Sequence, residues 1–239
     1  MIEHIKAEAA RRLPDIIAWR RHLHAHPELS YEEYETSAFI QQQLTAMGIP
    51  FEVMATTGVC GIIEGKNPAS RVVALRADMD ALPILEKNDV PYRSTKDGIM
   101  HACGHDVHTT CLLGAARILQ QLKDQWEGTV KLIFQPGEEK NPGGASLMIR
   151  DGVLENPRPE RIFALHVHPG MEAGTFSFRG GKVMASADEL YLTVTAKGGH
   201  AAAPQYTADA VLTASHIVVG LQSIIARNND PFNPSVLSF

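Results

Sequence analysis

Between residues 101 and 110 the sequence reads HACGHDVHTT, which places three histidines, a cysteine and an aspartate within ten positions. Cys103 and His105, separated by a single glycine, can offer a thiolate and an imidazole to one divalent ion. Cys103 with His105 or His108 can also be read as a nucleophile and its base. Catalytic pairs of that kind, however, are usually brought together by the fold and are seldom close in sequence. Further polar clusters end short apolar runs: RVVAL leads into Arg76, Asp78 and Asp80, KLIF into QPGEE with Glu138 and Glu139, and RIFAL into His166 and His168. Adjacent carboxylates such as Glu138 and Glu139 repel unless a cation lies between them or one is protonated. They can also divide labour, one binding metal while the other takes a proton from water. The sequence has no GxSxG elbow, phosphate-binding loop or dinucleotide fingerprint, which leaves metal-assisted hydrolysis as the leading chemistry.

The elements that must position these residues alternate. FEVMA, GIIEG, RVVALRA, TVKLIFQ and RIFALH read as strands. Helical periodicity covers residues 2–24, with a kink or restart expected at Pro14, then 31–47, 105–123 and 143–151. Apolar strands alternating with helices predict an α/β domain whose mostly parallel sheet is covered on both faces. In such sheets ligands bind beyond the carboxyl ends of the strands, so the polar clusters should converge. Near residue 185 the texture changes. ELYLTVTAKG alternates as a one-sided strand does, and 207–227 reads as a long amphipathic helix. The expected division is a catalytic metal-binding domain over 1–184 and the start of a smaller α+β domain over 185–239, shorter than a domain usually is.

A formal charge of −5, with acidic and basic residues mixed, offers no broad positive face and argues against nucleic acid. Charged residues interrupt the first 25 positions, and no later uninterrupted apolar run reaches membrane-spanning length. The expectation is a cytoplasmic protein with no membrane partner. Three cysteines, Cys60, Cys103 and Cys111, suit a reducing compartment better than a disulfide framework.

LRADMDALPI, HACGHDVHTTCLLGAA, FQPGEE and GGHAAAP, in this order, closely resemble the dinuclear metal amidohydrolases that include hippurate hydrolases, N-acyl-amino-acid deacylases and plant auxin-conjugate hydrolases. The resemblance implies a zinc-exopeptidase-like catalytic domain interrupted by a smaller lid that pairs two subunits, hence a homodimer through the lid. It implies Cys103, His105, Glu139 and His166 as ligands of two divalent ions, Glu138 as general base, and His200 as a lid histidine reaching a substrate oxygen. A further metal histidine is expected from a segment after the lid, beyond this sequence. Zinc, manganese, cobalt and nickel all suit this ligand set. The implied substrate is a small N-acetyl- or N-benzoyl-type amino acid, cleaved at its amide. A dipeptidase using the same site and a catalytically silent metal-binding or dimerisation fragment are the alternatives. The family commonly has another histidine after the proline of GGHAAAP, where this chain has Gln205. Asp78 and Asp80 are read as groups that orient ligating imidazoles, or as a capped turn; His22, His24 and His26 are read as scaffold, and His216 as packing or surface.

Overall fold

The computed structural model describes residues 2–181, 183, 184, 186 and 188–239. Two units are distinguished, Met1–Gly170 and Met171–Phe239. In the first, helix α1 (Ile2–Ala25) is continuous, with Pro14 inside it where a kink or restart was expected. Helix α2 (Tyr34–Ala46) starts later than the periodicity suggests. Tyr31 is held in the left-handed region at φ 69°. The buried Glu28 carboxylate accepts the N–H groups of Glu35 at 3.2 Å and Thr36 at 2.8 Å, satisfying amides that a first helical turn leaves open.

The sheet has the order β1-β2-β4-β3-β5, with β1 at Phe51–Met54, β2 at Gly58–Glu64, β3 at Val72–Asp78, β4 at Thr129–Gln135 and β5 at Arg161–Ala164. The α/β class holds, but the sheet is mixed rather than mostly parallel. β3 runs parallel to both β4 and β5, whereas β2 is antiparallel to β1 and β4. The short link between β1 and β2, where Ala55 and Thr56 adopt positive φ of 48° and 72°, accounts for the first of these antiparallel pairings, since a tight turn returns the chain antiparallel.

Helices α3 (His105–Gln121) and α4 (Gly144–Arg150) complete the layers. Every residue of β4 is buried. Val130, Leu132 and Phe134 join a core with Ile40, Leu44, Leu112, Leu113 and Ala116 from α2 and α3. Ile133 belongs to a second cluster with Cys60, Ala74, Met148 and Val153. Alternation along one strand thus feeds two layers. Lys131 is only 2% exposed, and its ammonium donates to the carbonyls of Val153 at 2.8 Å and Glu155 at 2.5 Å. Those bonds offset the cost of burying the charge.

Helix α1 is fastened to the start of α3 by buried charge. Asp106 Oδ2 lies 2.9 Å from Arg20 Nε and 2.7 Å from His24 Nδ1, while His24 Nε2 lies 3.0 Å from Glu86 Oε1. Both ring nitrogens face carboxylates, an arrangement that suits an imidazolium. The hydrogen bond to Asp106, against the effect of burial and assisted by Glu86, raises the pKa of His24.

In the second unit, helix α5 (Ala210–Asn228) is capped by Asp209, whose Oδ1 accepts the Leu212 N–H at 2.9 Å. Residues 189–198, expected as a strand, belong to no strand among the described residues; an alternating sequence forms a ladder only where a partner backbone is present. Ala185, where the second domain is expected to begin, lies outside the described residues. The sequence expectation of no membrane-length segment is corrected by α5, which is long and apolar enough, by length and composition, to cross a bilayer. The expectation rested on an uninterrupted apolar run, whereas these 19 residues intersperse Thr, Ser, His and Gln with only one formal charge, Arg227.

A raised folded-state pKa at His24 means that its stabilisation is fully present below the unfolded value of about 6.5 and is lost as pH rises through the folded value. The expected outcome is a stability gap between the parent and His24→Gln that is widest below pH about 6.5 and narrows towards alkaline pH, measured by urea denaturation across the range.

Candidate metal centre

Parallel pairing brings three strand ends to one edge of the sheet. Asp78 at the end of β3 stands opposite Gln135 of β4, and Arg76 opposite Ala164 of β5. The loops that leave these ends carry Asp80, Glu138 with Glu139, and His166. Cys103 and His105 arrive on the turn that starts α3. Gly104 there has φ +85°, and a Cβ at this position would lie 2.3 Å from Val167 Cγ2, so the turn closes directly onto the chain beside His166.

The result is a cluster of donor atoms. Cys103 Sγ lies 3.4 Å from His166 Nε2. His105 Nε2 lies 3.8 Å from Glu139 Oε1 and 4.0 Å from Glu138 Oε2. Cys103, His105 and His166 offer ligand atoms within 4.8 Å of one another, as do His105, Glu138 and Glu139, so the two groups share His105. His105 is fully buried, and among the described residues neither its Nε2 nor Glu139 Oε1 has a hydrogen-bond partner. Buried polar atoms are ordinarily paired, and two unpaired ones facing each other beside a thiol and a second carboxylate fit a cation.

The supporting hydrogen bonds determine which atoms are free. His105 Nδ1 donates to Asp80 Oδ1 at 3.1 Å, which leaves the Nε2 lone pair pointing at the cluster. Asp80 Oδ2 also accepts from Ser30 Oγ at 2.6 Å and from the Glu139 N–H at 3.0 Å. His166 Nδ1 donates to the Val167 carbonyl at 2.6 Å, freeing its Nε2. His108 behaves differently. Its Nδ1 donates to Asp78 Oδ1 at 2.6 Å and its Nε2 accepts the Val167 N–H at 2.9 Å. Asp78, His105 and His108 are also close enough to chelate, but His108 has no free nitrogen and Asp78 is further bound by Arg76 at 2.7 Å. Asp78 and His108 are instead a hydrogen-bonded support for the His166 segment.

Electrostatics separate the two sets. Burial works to raise the Asp78 carboxyl, yet the His108 hydrogen bond and the Arg76 charge outweigh it and hold Asp78 down at about 2. Burial, then the negative charge of Glu139, pushes the Cys103 thiol up to about 12. Burial and Glu139 likewise raise Glu138. The free donors therefore sit in a field of uncompensated negative charge, where a cation reverses the balance.

Of the residues predicted from sequence, the fold brings Cys103, His105, Glu138, Glu139 and His166 together. His168 is exposed and outside both groups. His200 belongs to the second unit, where its Nδ1 accepts the Ala202 N–H at 3.0 Å and its Nε2 is left to carry the proton. The part played by Ser30 was not read from the sequence. Its only signal is the polar run ELSYEE, which follows Pro27 and has no helical face.

Residues 74–228 match the pattern of peptidase family M20/M25/M40. The chain belongs to that family. It is 42% identical over 237 residues to an N-acyl-L-amino acid amidohydrolase of Geobacillus stearothermophilus, covering 99% of this chain and 63% of the relative. Among solved structures it is similar to a protein of methicillin-resistant Staphylococcus aureus, with TM-score 0.81 and 34% identity over 99% of this chain and 62% of that one. It also resembles the YXEP protein of Bacillus subtilis, described as a dinuclear metal-binding peptidase of the M20 family, with TM-score 0.62 and 42% identity over 69% of this chain and 45% of that one. The chain spans less than two thirds of the length of its first curated relatives.

The Asp80 contact to His105 generates a direct expectation. Asp80→Asn weakens divalent-metal binding by about 10–100-fold, because the amide no longer enforces the ring orientation that frees Nε2. Titration calorimetry on the parent and variant proteins measures it.

Proposed function

We propose that the protein hydrolyses the amide bond of small N-acylated amino acids of the N-acetyl or N-benzoyl type, releasing the amino acid and a carboxylate. The observation that carries this reading is the buried, unpartnered pair His105 Nε2 and Glu139 Oε1, 3.8 Å apart, with the Glu138 carboxylate 4.0 Å from the same nitrogen. The name of the Geobacillus relative supplies the substrate class. Cys103, His105, Glu139 and His166 are the proposed holders of two divalent ions. A soft thiolate beside imidazole and carboxylate accommodates zinc and also manganese, cobalt or nickel. When bound, such ions supply Lewis acidity and lower the pKa of water towards neutrality.

The remaining steps fall to this chain's own side chains. The Glu138 carboxylate takes no part in the side-chain hydrogen bonds that occupy Asp78 and Asp80 among the described residues, and its raised pKa moves a carboxylate towards working pH. In this reading it takes the proton from the attacking water and returns it to the departing amine. Asp80 keeps His105 in its ligating orientation throughout. His200, with Nδ1 engaged by its own loop, has an Nε2–H suited to stabilising charge on the amide oxygen. The catalytic domain is read as 1–184 and a lid as 185–239, and the exposed apolar residues of α5, among them Val211, Leu212 and Val219, suit a homodimer contact through that lid. The three free cysteines accord with a cytoplasmic location.

The test follows release of free amino acid from N-acetyl and N-benzoyl substrates by the metal-loaded full-length protein. Glu138→Ala is expected to lower kcat by about 10²–10⁴-fold while metal per chain is unchanged. Turnover near the parent level in that variant removes Glu138 as base, and a parent protein inert on every N-acyl amino acid overturns the assignment.

A further inference from the structure

The segment between α1 and α2 contains polar residues that the proposed chemistry does not use, yet they converge on the loop that carries Glu138 and Glu139. Glu33 is fully buried. One carboxylate oxygen accepts the Gly137 N–H at 2.7 Å, and the other accepts the Thr57 hydroxyl at 2.7 Å. Tyr31 approaches the same loop from its far end. Its hydroxyl donates to the Lys140 carbonyl at 2.6 Å and accepts the Gly143 N–H at 2.9 Å. The Tyr31 ring fills the space where a side chain on Gly137 would be, since a Cβ there would meet Cε1 at 2.2 Å. Tyr31 reaches this position in a left-handed conformation, φ 69°, which is unfavourable for a tyrosine and persists only where the surroundings enforce it.

We propose that Glu33 and Tyr31 are positioning residues that clamp the 137–143 loop at both ends, setting where the Glu138 and Glu139 carboxylates lie. The inference rests on the reading of Glu138 as base and Glu139 as ligand. Neither Glu33 nor Tyr31 reaches the donor cluster; each acts through the backbone of the loop. Between their contact points the Glu139 N–H is held by Asp80, and the Gly144 N–H closes the loop onto the Gly137 carbonyl at 2.9 Å. Amides at the start, middle and end of the loop are thus held by Glu33, Asp80 and Tyr31, and Ser30 of the same segment holds Asp80 in turn. A loop whose two central side chains must stay within reach of one ion tolerates little displacement, because shifts of about 1 Å in reacting groups can cost about 10²-fold in rate.

Three variants of the full-length protein test this, with Ile63→Ala in the main core as a control for general destabilisation. Tyr31→Phe keeps the ring and removes every hydrogen bond of the hydroxyl to the loop, to the Gly137 and Lys140 carbonyls and from the Gly143 N–H; Glu33→Ala removes the acceptor for Gly137; Glu33→Gln retains an acceptor. In Tyr31→Phe and Glu33→Ala, hydrogen exchange is expected to quicken at the amides of 137–143 and not across the sheet. Metal affinity should drop, and kcat on an N-acyl amino acid should fall by about 10–100-fold with KM changed less than about twofold. Glu33→Gln should restore most of both losses. Ile63→Ala should lower the melting temperature without altering loop exchange or kcat. Loop exchange and metal affinity identical to the parent in both Tyr31→Phe and Glu33→Ala overturn the proposal, as does a kcat loss in Ile63→Ala matching theirs. Because exchange and metal affinity are read without substrate, a protein inert on N-acyl amino acids would defeat the assigned reaction and leave the clamp separately decided.

Discussion

The Asp80 carboxylate links the parts of the centre that have to agree. It is almost completely buried, and burial alone would drive it towards the neutral acid. Hydrogen bonds from His105, Ser30 and the Glu139 backbone outweigh that effect and keep its pKa below the ordinary value. A buried charge is tolerated only with such partners. Each partner is itself constrained by the bond: His105 must present Nε2 to the cluster, and the Glu139 main chain must lie against the end of β3. One carboxylate therefore determines both an imidazole tautomer and the placement of a ligand loop.

The polar interior beside the sheet edge contains two kinds of network, and their difference locates the ligand. Asp78, His108 and the Val167 amide satisfy one another, and Glu33 is satisfied by Thr57 and Gly137. His105 Nε2 and Glu139 Oε1 are not satisfied. Saturated networks hold parts rigidly, whereas an unsaturated pair ringed by negative charge is costly until something positive arrives. Proximity alone would have made His108 a ligand candidate as good as His166. The orientation of the hydrogen bonds separates them.

The scaffold's contribution is mainly directional. Parallel pairing of β3 with β4 and β5 sends three chain segments out at one edge, and the helix that returns between β3 and β4 starts at the same edge with Cys103 and His105 on its approach. The antiparallel β1 and β2 lie on the other side of β4 and contribute none of these side chains. Helix α1, tied through Arg20 and His24 to Asp106, holds the first turn of α3 and hence the residue next to His105.

Local chemistry and spacing sufficed to indicate an α/β chain and the strand ends where polar residues collect, because ligand type and β-to-polar transitions are properties of short segments. The choice of Cys103, His105, Glu139 and His166 as donors, with Glu138 as base, came from the family resemblance. Local chemistry also suggested that Asp78 and Asp80 orient histidines, without saying which ring each would meet. The antiparallel entry of β2, the saturation of both nitrogens of His108, and the reach of Glu33 and Tyr31 onto a loop more than a hundred residues away were decided by tertiary structure alone. Hydrogen-bond partners at such separations leave no periodic trace in the chain, since what pairs them is the burial of both partners in one interior, and burial is a property of the assembled layers.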